Sequence, residues 1–209
     1  MTTDLLRQFR PAAVLFLLLT LLTGVIYPLA VTGVAAVLFP GPAAGSLIVR
    51  NGKTVGSRLI GQPFTGDTYF WSRPSATGPY PYNAGSSSGS NLGPLNPELA
   101  DAALQRTAKL RTGHPHQPGR VPVDLVTASA SGLDPHISPA AAYYQVERVA
   151  AARGLPVQQV RRLVEEHIEP RTLGILGEPR VNVLLLNLAL KENSKIQRTK
   201  EPKEDRRGF

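Results

Sequence analysis

Between Ala12 and Phe39 the chain carries no charged side chain, and no other feature restricts its fold so tightly. As a helix rising ~1.5 Å per residue this run is about 42 Å long, enough to cross a hydrocarbon layer of ~30 Å with tilt. A secretory signal needs an apolar stretch of only ~7–15 residues followed by a small-x-small cleavage site. Here the run is about twice that length and closes on the bulky Val37-Leu38-Phe39-Pro40. The expectation is therefore one uncleaved transmembrane helix over residues 12–39. Pro28 lies inside it and removes a helical hydrogen bond, which predicts a kink or a division between Gly24 and Pro28. Gly24, Pro28 and Gly33 are the candidate positions for packing against another helix, although small residues also occur on lipid-facing surfaces. Arg7 and Arg10 precede the run directly, whereas Arg50, Lys53 and Arg58 are set back from its other end. The positive-inside preference then puts residues 1–11 in the cytoplasm and everything after Phe39 outside it.

The remainder divides into a domain over residues 40–190 and a charged tail over 191–209, expected to be disordered. The whole chain carries a net charge of +8, but the tail alone holds seven Lys/Arg and four Asp/Glu. The other charges are scattered, with no basic run interleaved with aromatics, so nucleic acid is not an expected partner. Cysteine is absent, which excludes disulfides and thiolate metal sites.

Asn51-Gly52 between Leu47-Ile48-Val49-Arg50 and Thr54-Val55-Gly56 is a strong hairpin signal. From Tyr69 to Pro97 the density of Pro, Gly, Ser and Asn predicts a long loop. Asn96-Pro97 starts a helix that places Leu99, Ala103 and Leu110 on one face and stops at Gly113. Val121, Val123, Leu125 and Thr127 alternate with Pro122, Asp124, Val126 and Ala128 as in a strand. Ser138-Pro139 starts a helix ending at Gly154, and Pro156 starts another with Val157, Val160 and Val164 as its apolar stripe. The run Val181 to Leu190 is interrupted by Asn182 and Asn187, which favours a helix capped by Asn182 over a strand. The fold class is thus an α+β domain with an N-terminal β-hairpin and several helices, tethered by one N-terminal transmembrane helix.

Motifs for chemistry are weaker. Gly52-Lys53-Thr54 ends like a phosphate-binding loop, but the required earlier glycine position is Leu47. Gly85-Ser86-Ser87-Ser88-Gly89 matches the nucleophile-elbow pattern, which needs a buried strand before it and a helix after it. The surrounding polar residues predict a loop instead. His114 and His116, with His136 or His167, could contribute to a metal site, but lacking acidic or thiol partners at a ligand spacing they are expected to be surface loop histidines. Asp134-Pro135-His136 sets an acid beside an imidazole, and the simpler expectation is a turn in which Asp134 accepts backbone N–H bonds. A membrane-anchored serine hydrolase using Ser87 with His136, and a solute-binding module, are the alternative functions these residues leave open.

A series of segments resembles one family, the C subunit (KdpC family) of the Kdp-type potassium-transporting ATPase of bacteria. They include Asn51-Gly52-Lys53, Ile60-Gly61-Gln62, Arg73-Pro74-Ser75, Tyr82-Asn83-Ala84 and Gly89-Ser90-Asn91. The series continues with Val121 to Ser129, Ser131 to Pro139 and Gly177 to Asn182. The resemblance implies a non-catalytic accessory subunit that assembles with a potassium-channel-like subunit and a P-type ATPase subunit in the bacterial plasma membrane. It also implies a catalytic chaperone that raises the ATP affinity of the ATPase subunit. No cofactor would be held tightly by this chain, and ATP would enter only in complex with the ATPase subunit. Tyr82, Asn83, Ser90, Asn91, Asp134 and His136 are the candidate partner contacts, read as exposed loop residues.

Overall fold

The computed structural model describes the backbone of residues 2–200 and the side chains of residues 7–193. Two compact units divide near Leu47.

The first unit is helical: α1 (Thr2–Leu21), one π turn (Leu22–Ile26), α2 (Tyr27–Leu38) and the single turn α3 (Pro40–Ala43). Residues Arg7–Leu38 make a helix long and apolar enough to cross a membrane. Pro28 does divide it, by a change of register. The Tyr27 N–H reaches back five residues to the Leu22 carbonyl, which widens the turn just before the ring that cannot donate.

The second unit mixes helices with short strands. β1 (Leu47–Arg50) and β2 (Lys53–Ser57) form the expected hairpin, with Asn51 at φ 50° and Gly52 at φ 73° in its turn, the left-handed pair that two-residue hairpin loops require. A three-stranded antiparallel sheet of order β3-β5-β4 joins β3 (His136–Ile137), β5 (Arg180–Asn182) and β4 (Ile168–Glu169). The remaining helices are α4 (Pro97–Gly113), α5 (Pro139–Arg153), α6 (Val157–Glu166) and α7 (Val183–Lys200). Asn96 caps α4 through the Glu98 N–H and Ser138 caps α5 through the Ala141 N–H. Gly154 ends α5 at φ 65°. The core gathers Phe70, Ile137, Val146, Val149, Val160, Val164, Val181, Val183 and Leu186 from α5, α6, α7, the sheet and the long loop.

Three expectations are corrected. The strand foreseen over 121–128 is a 3-10 turn at Val123–Leu125, because Pro122 has no N–H to pair and the Asp124 carboxylate turns to accept from Ser138 N and Oγ. α7 continues past Leu190 to Lys200, beyond the end expected for that helix; residues 201–209 lie outside the described residues. In α6 the buried stripe is Val160, Leu163 and Val164, whereas Val157 is exposed. Asn182 is the last residue of β5 and also caps α7, its Oδ1 accepting from Leu185 N.

Candidate functional site

Residues 61–96 contain no helix or strand, so their backbone polar groups need other partners. Side chains supply many of them. Ser75 Oγ donates to the Gly132 carbonyl and accepts from Tyr82 N, and Thr77 Oγ1 accepts from Asn83 N. Tyr82 is held at φ 59° and its hydroxyl donates to the Arg73 carbonyl at 2.6 Å. Burial of that hydroxyl pushes its pKa up to about 12. Asn83 donates to the Gly78 carbonyl and accepts from Gly85 N. Tyr82 and Asn83 are therefore half-buried turn builders rather than exposed loop residues, while Ser90 and Asn91 are exposed.

The loop is stitched to the turn before β3. Gly61 N donates to the Leu133 carbonyl, and Ser88 N to that of Ser131. Gly61 has no side chain because none fits: a Cβ there would lie 2.3 Å from the Tyr82 ring and 2.9 Å from the Asp134 carbonyl. Asp134 accepts from His136 N at 3.0 Å, as the turn expectation required, and also from Arg73 Nη1 at 3.0 Å. Burial works against its charge, but bonds from the His136 side chain and backbone and the Arg73 charge prevail, holding its carboxyl below the usual carboxylate range. The polar contacts then continue across the sheet. His136 lies 3.2 Å from Asp134 and 3.8 Å from Glu169, and Glu169 also meets Arg180 at 3.0 Å and Arg58 at 3.6 Å. Asp134 and His136 are half-buried as well. Each carboxylate in this lattice is paired with an arginine, Asp134 with Arg73 and Glu169 with Arg180, so it does not present a lone acid or base.

Ser87 lies in the same stitched region, but its Oγ donates to the Ser131 carbonyl at 3.0 Å. Neither the strand nor the helix of a nucleophile elbow flanks it, so the geometry that would activate this hydroxyl is not assembled. Gly24, Pro28 and Gly33 belong to the helical unit, with open space around Gly24 and Gly33.

A buried polar cluster escaped the sequence analysis. His114 is a core residue, 3% exposed, which corrects its expectation as a surface histidine. Nδ1 donates to the Leu110 carbonyl at 2.7 Å, leaving Nε2 to accept from Arg148 Nε at 2.9 Å. With both nitrogens engaged, His114 is not disposed to bind a metal. Burial foremost, aided by Arg148, lowers its pKa. Arg148 stacks on Trp71 with 4.0 Å to the ring centroid and donates to Gln145 Oε1. Gln145 also accepts from Trp71 N and donates to the Trp71 carbonyl. The available sequence signal was a glutamine just before, and an arginine within, the Val146–Val149 turn of a helix rich in Ala and Val.

Beside this cluster, a cleft of about 250 Å³ is lined by Phe64, Trp71, Arg73, Tyr82, Arg106 and Lys109, among others.

A family model described as K+-transporting ATPase, c chain, matches residues 9–192. The potassium-transporting ATPase KdpC subunit of Polaromonas naphthalenivorans strain CJ2 is 67% identical over 181 residues, covering 87% of this chain and 92% of the relative. The KdpC subunit of Herpetosiphon aurantiacus is 63% identical over 182 residues, covering 87% and 94%. That of Methylococcus capsulatus strain Bath is 58% identical over 186 residues, covering 89% and 98%.

Proposed function

The chain belongs to the KdpC family, the c chain of the K+-transporting ATPase, and from that place in a potassium-uptake complex we propose that it works as a non-catalytic organiser. It assembles with and stabilises the potassium-channel-like and P-type ATPase subunits while leaving the chemistry to the latter. The observation that carries this reading is the internal use of the polar groups at the site. Tyr82, Asn83, Ser87 and Asp134 all spend hydrogen bonds on the protein's own loop and turn. A reacting group needs an unspent nucleophile or a poised base.

In this proposal the apolar helix is a single pass through the bacterial plasma membrane, with its N-terminus cytoplasmic and the mixed domain outside. The helix packs between the partner subunits through the face carrying Gly24, Pro28 and Gly33. The domain docks over the outer mouth of the channel-like subunit, with Ser90 and Asn91 the most accessible of the candidate contacts. No cofactor is held tightly. An external domain cannot touch cytoplasmic nucleotide, so the chaperone effect on ATP affinity acts by shifting the ATPase subunit between conformations through the membrane.

Two measurements on the native membrane test this. Affinity purification in mild detergent should bring down two larger subunits and potassium-stimulated ATP hydrolysis; recovery of the chain alone from membranes that express the pump would refute the assembly role. The cysteine-free sequence allows a single Ser90→Cys label, which should react with an impermeant maleimide from outside intact cells. Labelling only after permeabilisation would reverse the topology.

A further inference from the structure

The π turn in the apolar helix leaves a carbonyl without a helical donor. Tyr27 N–H bonds to Leu22 O and so is withdrawn from Thr23 O, its normal α-helical acceptor. The next residue, Pro28, has no N–H to offer in the wider register. The Thr23 hydroxyl cannot fill the gap, because it donates to the Leu19 carbonyl at 2.7 Å. Thr23 also lies at the centre of the Arg7–Leu38 span, where a backbone acceptor without a partner is costly and water is excluded. Gly24 presents open space beside it. Among the described residues no second helix of this chain is long and apolar enough to supply a donor.

We propose that the Thr23 carbonyl is an acceptor site for a hydrogen-bond-donating side chain, a hydroxyl, carboxamide or indole N–H, on a membrane helix of another pump subunit. This rests on the reading that the anchor packs against the partner subunits and supplies that contact with its chemistry. The proline and π turn then act as a recognition device, exposing a polar backbone atom on an otherwise apolar surface. A partner helix with its donor at the matching depth is selected over lipid and over helices lacking one.

The test uses the assembled pump in mild detergent. Tyr27, one turn from Thr23 on the same face, is replaced by the photoreactive p-benzoylphenylalanine. The expected capture is a membrane helix of another subunit, with a donor-bearing residue in the captured peptide. Separately, Pro28→Ala restores a backbone N–H at that position, which can pair with the Gly24 carbonyl and let the Tyr27 N–H return to Thr23. This should lower recovery of the complex roughly threefold to tenfold while the amount of chain in the membrane stays constant. Alanine at the captured donor should cause a similar loss beside Pro28 and no further loss beside Pro28→Ala. That non-additivity separates a lost bond from an altered helix bend. Capture with undiminished recovery of Pro28→Ala, or with additive losses, overturns the bond and leaves the packing reading intact. Capture of lipid alone, or of a second copy of this chain, overturns both.

Discussion

Asn187 and Phe70 exchange two hydrogen bonds across 117 positions of sequence: Phe70 N donates to Asn187 Oδ1 at 2.8 Å, and Asn187 Nδ2 returns to the Phe70 carbonyl at 3.0 Å. Gln145 does the same for Trp71 at 2.7 and 3.2 Å. Two carboxamides, one from α7 and one from α5, thus take the place of a neighbouring strand for an irregular segment that crosses the core. Phe70 is fully buried and Asn187 is 3% exposed, so neither backbone group has water as a substitute.

Asn187→Leu should therefore destabilise the protein by about 2–4 kcal/mol, since it leaves two buried backbone groups unpaired and each costs ~1–3 kcal/mol. Asn187→Asp should be no better, keeping an acceptor but losing the donor and burying charge. Urea unfolding of the full chain in detergent measures both; a loss under about 1 kcal/mol for Leu would mean that the segment finds other partners.

This pair also shows why the fold was only partly legible. Asn187 was visible in the sequence as a break in an apolar run, but its partner is a main-chain group, which has no sequence signature. The helices α4 and α5 were legible because Asn96-Pro97 and Ser138-Pro139 satisfy helix ends locally. The sheet was missed because β3 and β4 have two residues each and β5 three, too short for a period of two to register. The false strand at 121–128 had the right alternation, but its directing interaction, Asp124 with Ser138, comes from 14 positions away. At the site, the Asp134 turn could be read locally, whereas the Arg73 and Glu169 contacts that complete it are tertiary.

His114 makes a pH prediction whose direction follows from its lowered pKa. The unfolded chain binds this proton more readily than the fold does, so the contribution is fully present above about pH 6.5 and is lost as pH falls below it. Protonation would put an N–H against the Arg148 guanidinium. The melting temperature of the wild type should fall from about pH 7 to about pH 5 more than that of His114→Gln, which cannot titrate. Parallel profiles would show that this imidazole does not govern the acid response.

Gly61 and Gly132 are predicted to be intolerant of even a methyl group. At Gly132 the backbone is at φ 67° and a Cβ would lie 2.5 Å from the Ser88 carbonyl, so strain and overlap combine. Gly61→Ala and Gly132→Ala should each cost about 2–4 kcal/mol. Gly119→Ala, where nothing lies within 4 Å, serves as the matched control and should stay within ~0.5 kcal/mol of wild type.

Asp134→Asn distinguishes charge from shape at the stitched turn. The amide can still accept from His136 N, so the turn should persist, but its attraction to Arg73 is lost. The Asp134 side chain is 29% exposed and that of Arg73 24%, so solvent screening limits the loss at neutral pH to about 1 kcal/mol. Its acid dependence is more diagnostic. Because the folded carboxyl is held below its ordinary value of 3.8, the wild type keeps this contribution above that value and loses it as pH falls through the lower, folded one. The wild type and Asp134→Asn should therefore converge in stability as pH falls below 3.8 and through that lower value, on top of the earlier His114 loss that both share. A gap that persists unchanged into that range would place the stabilisation in the carboxylate's shape rather than in its charge.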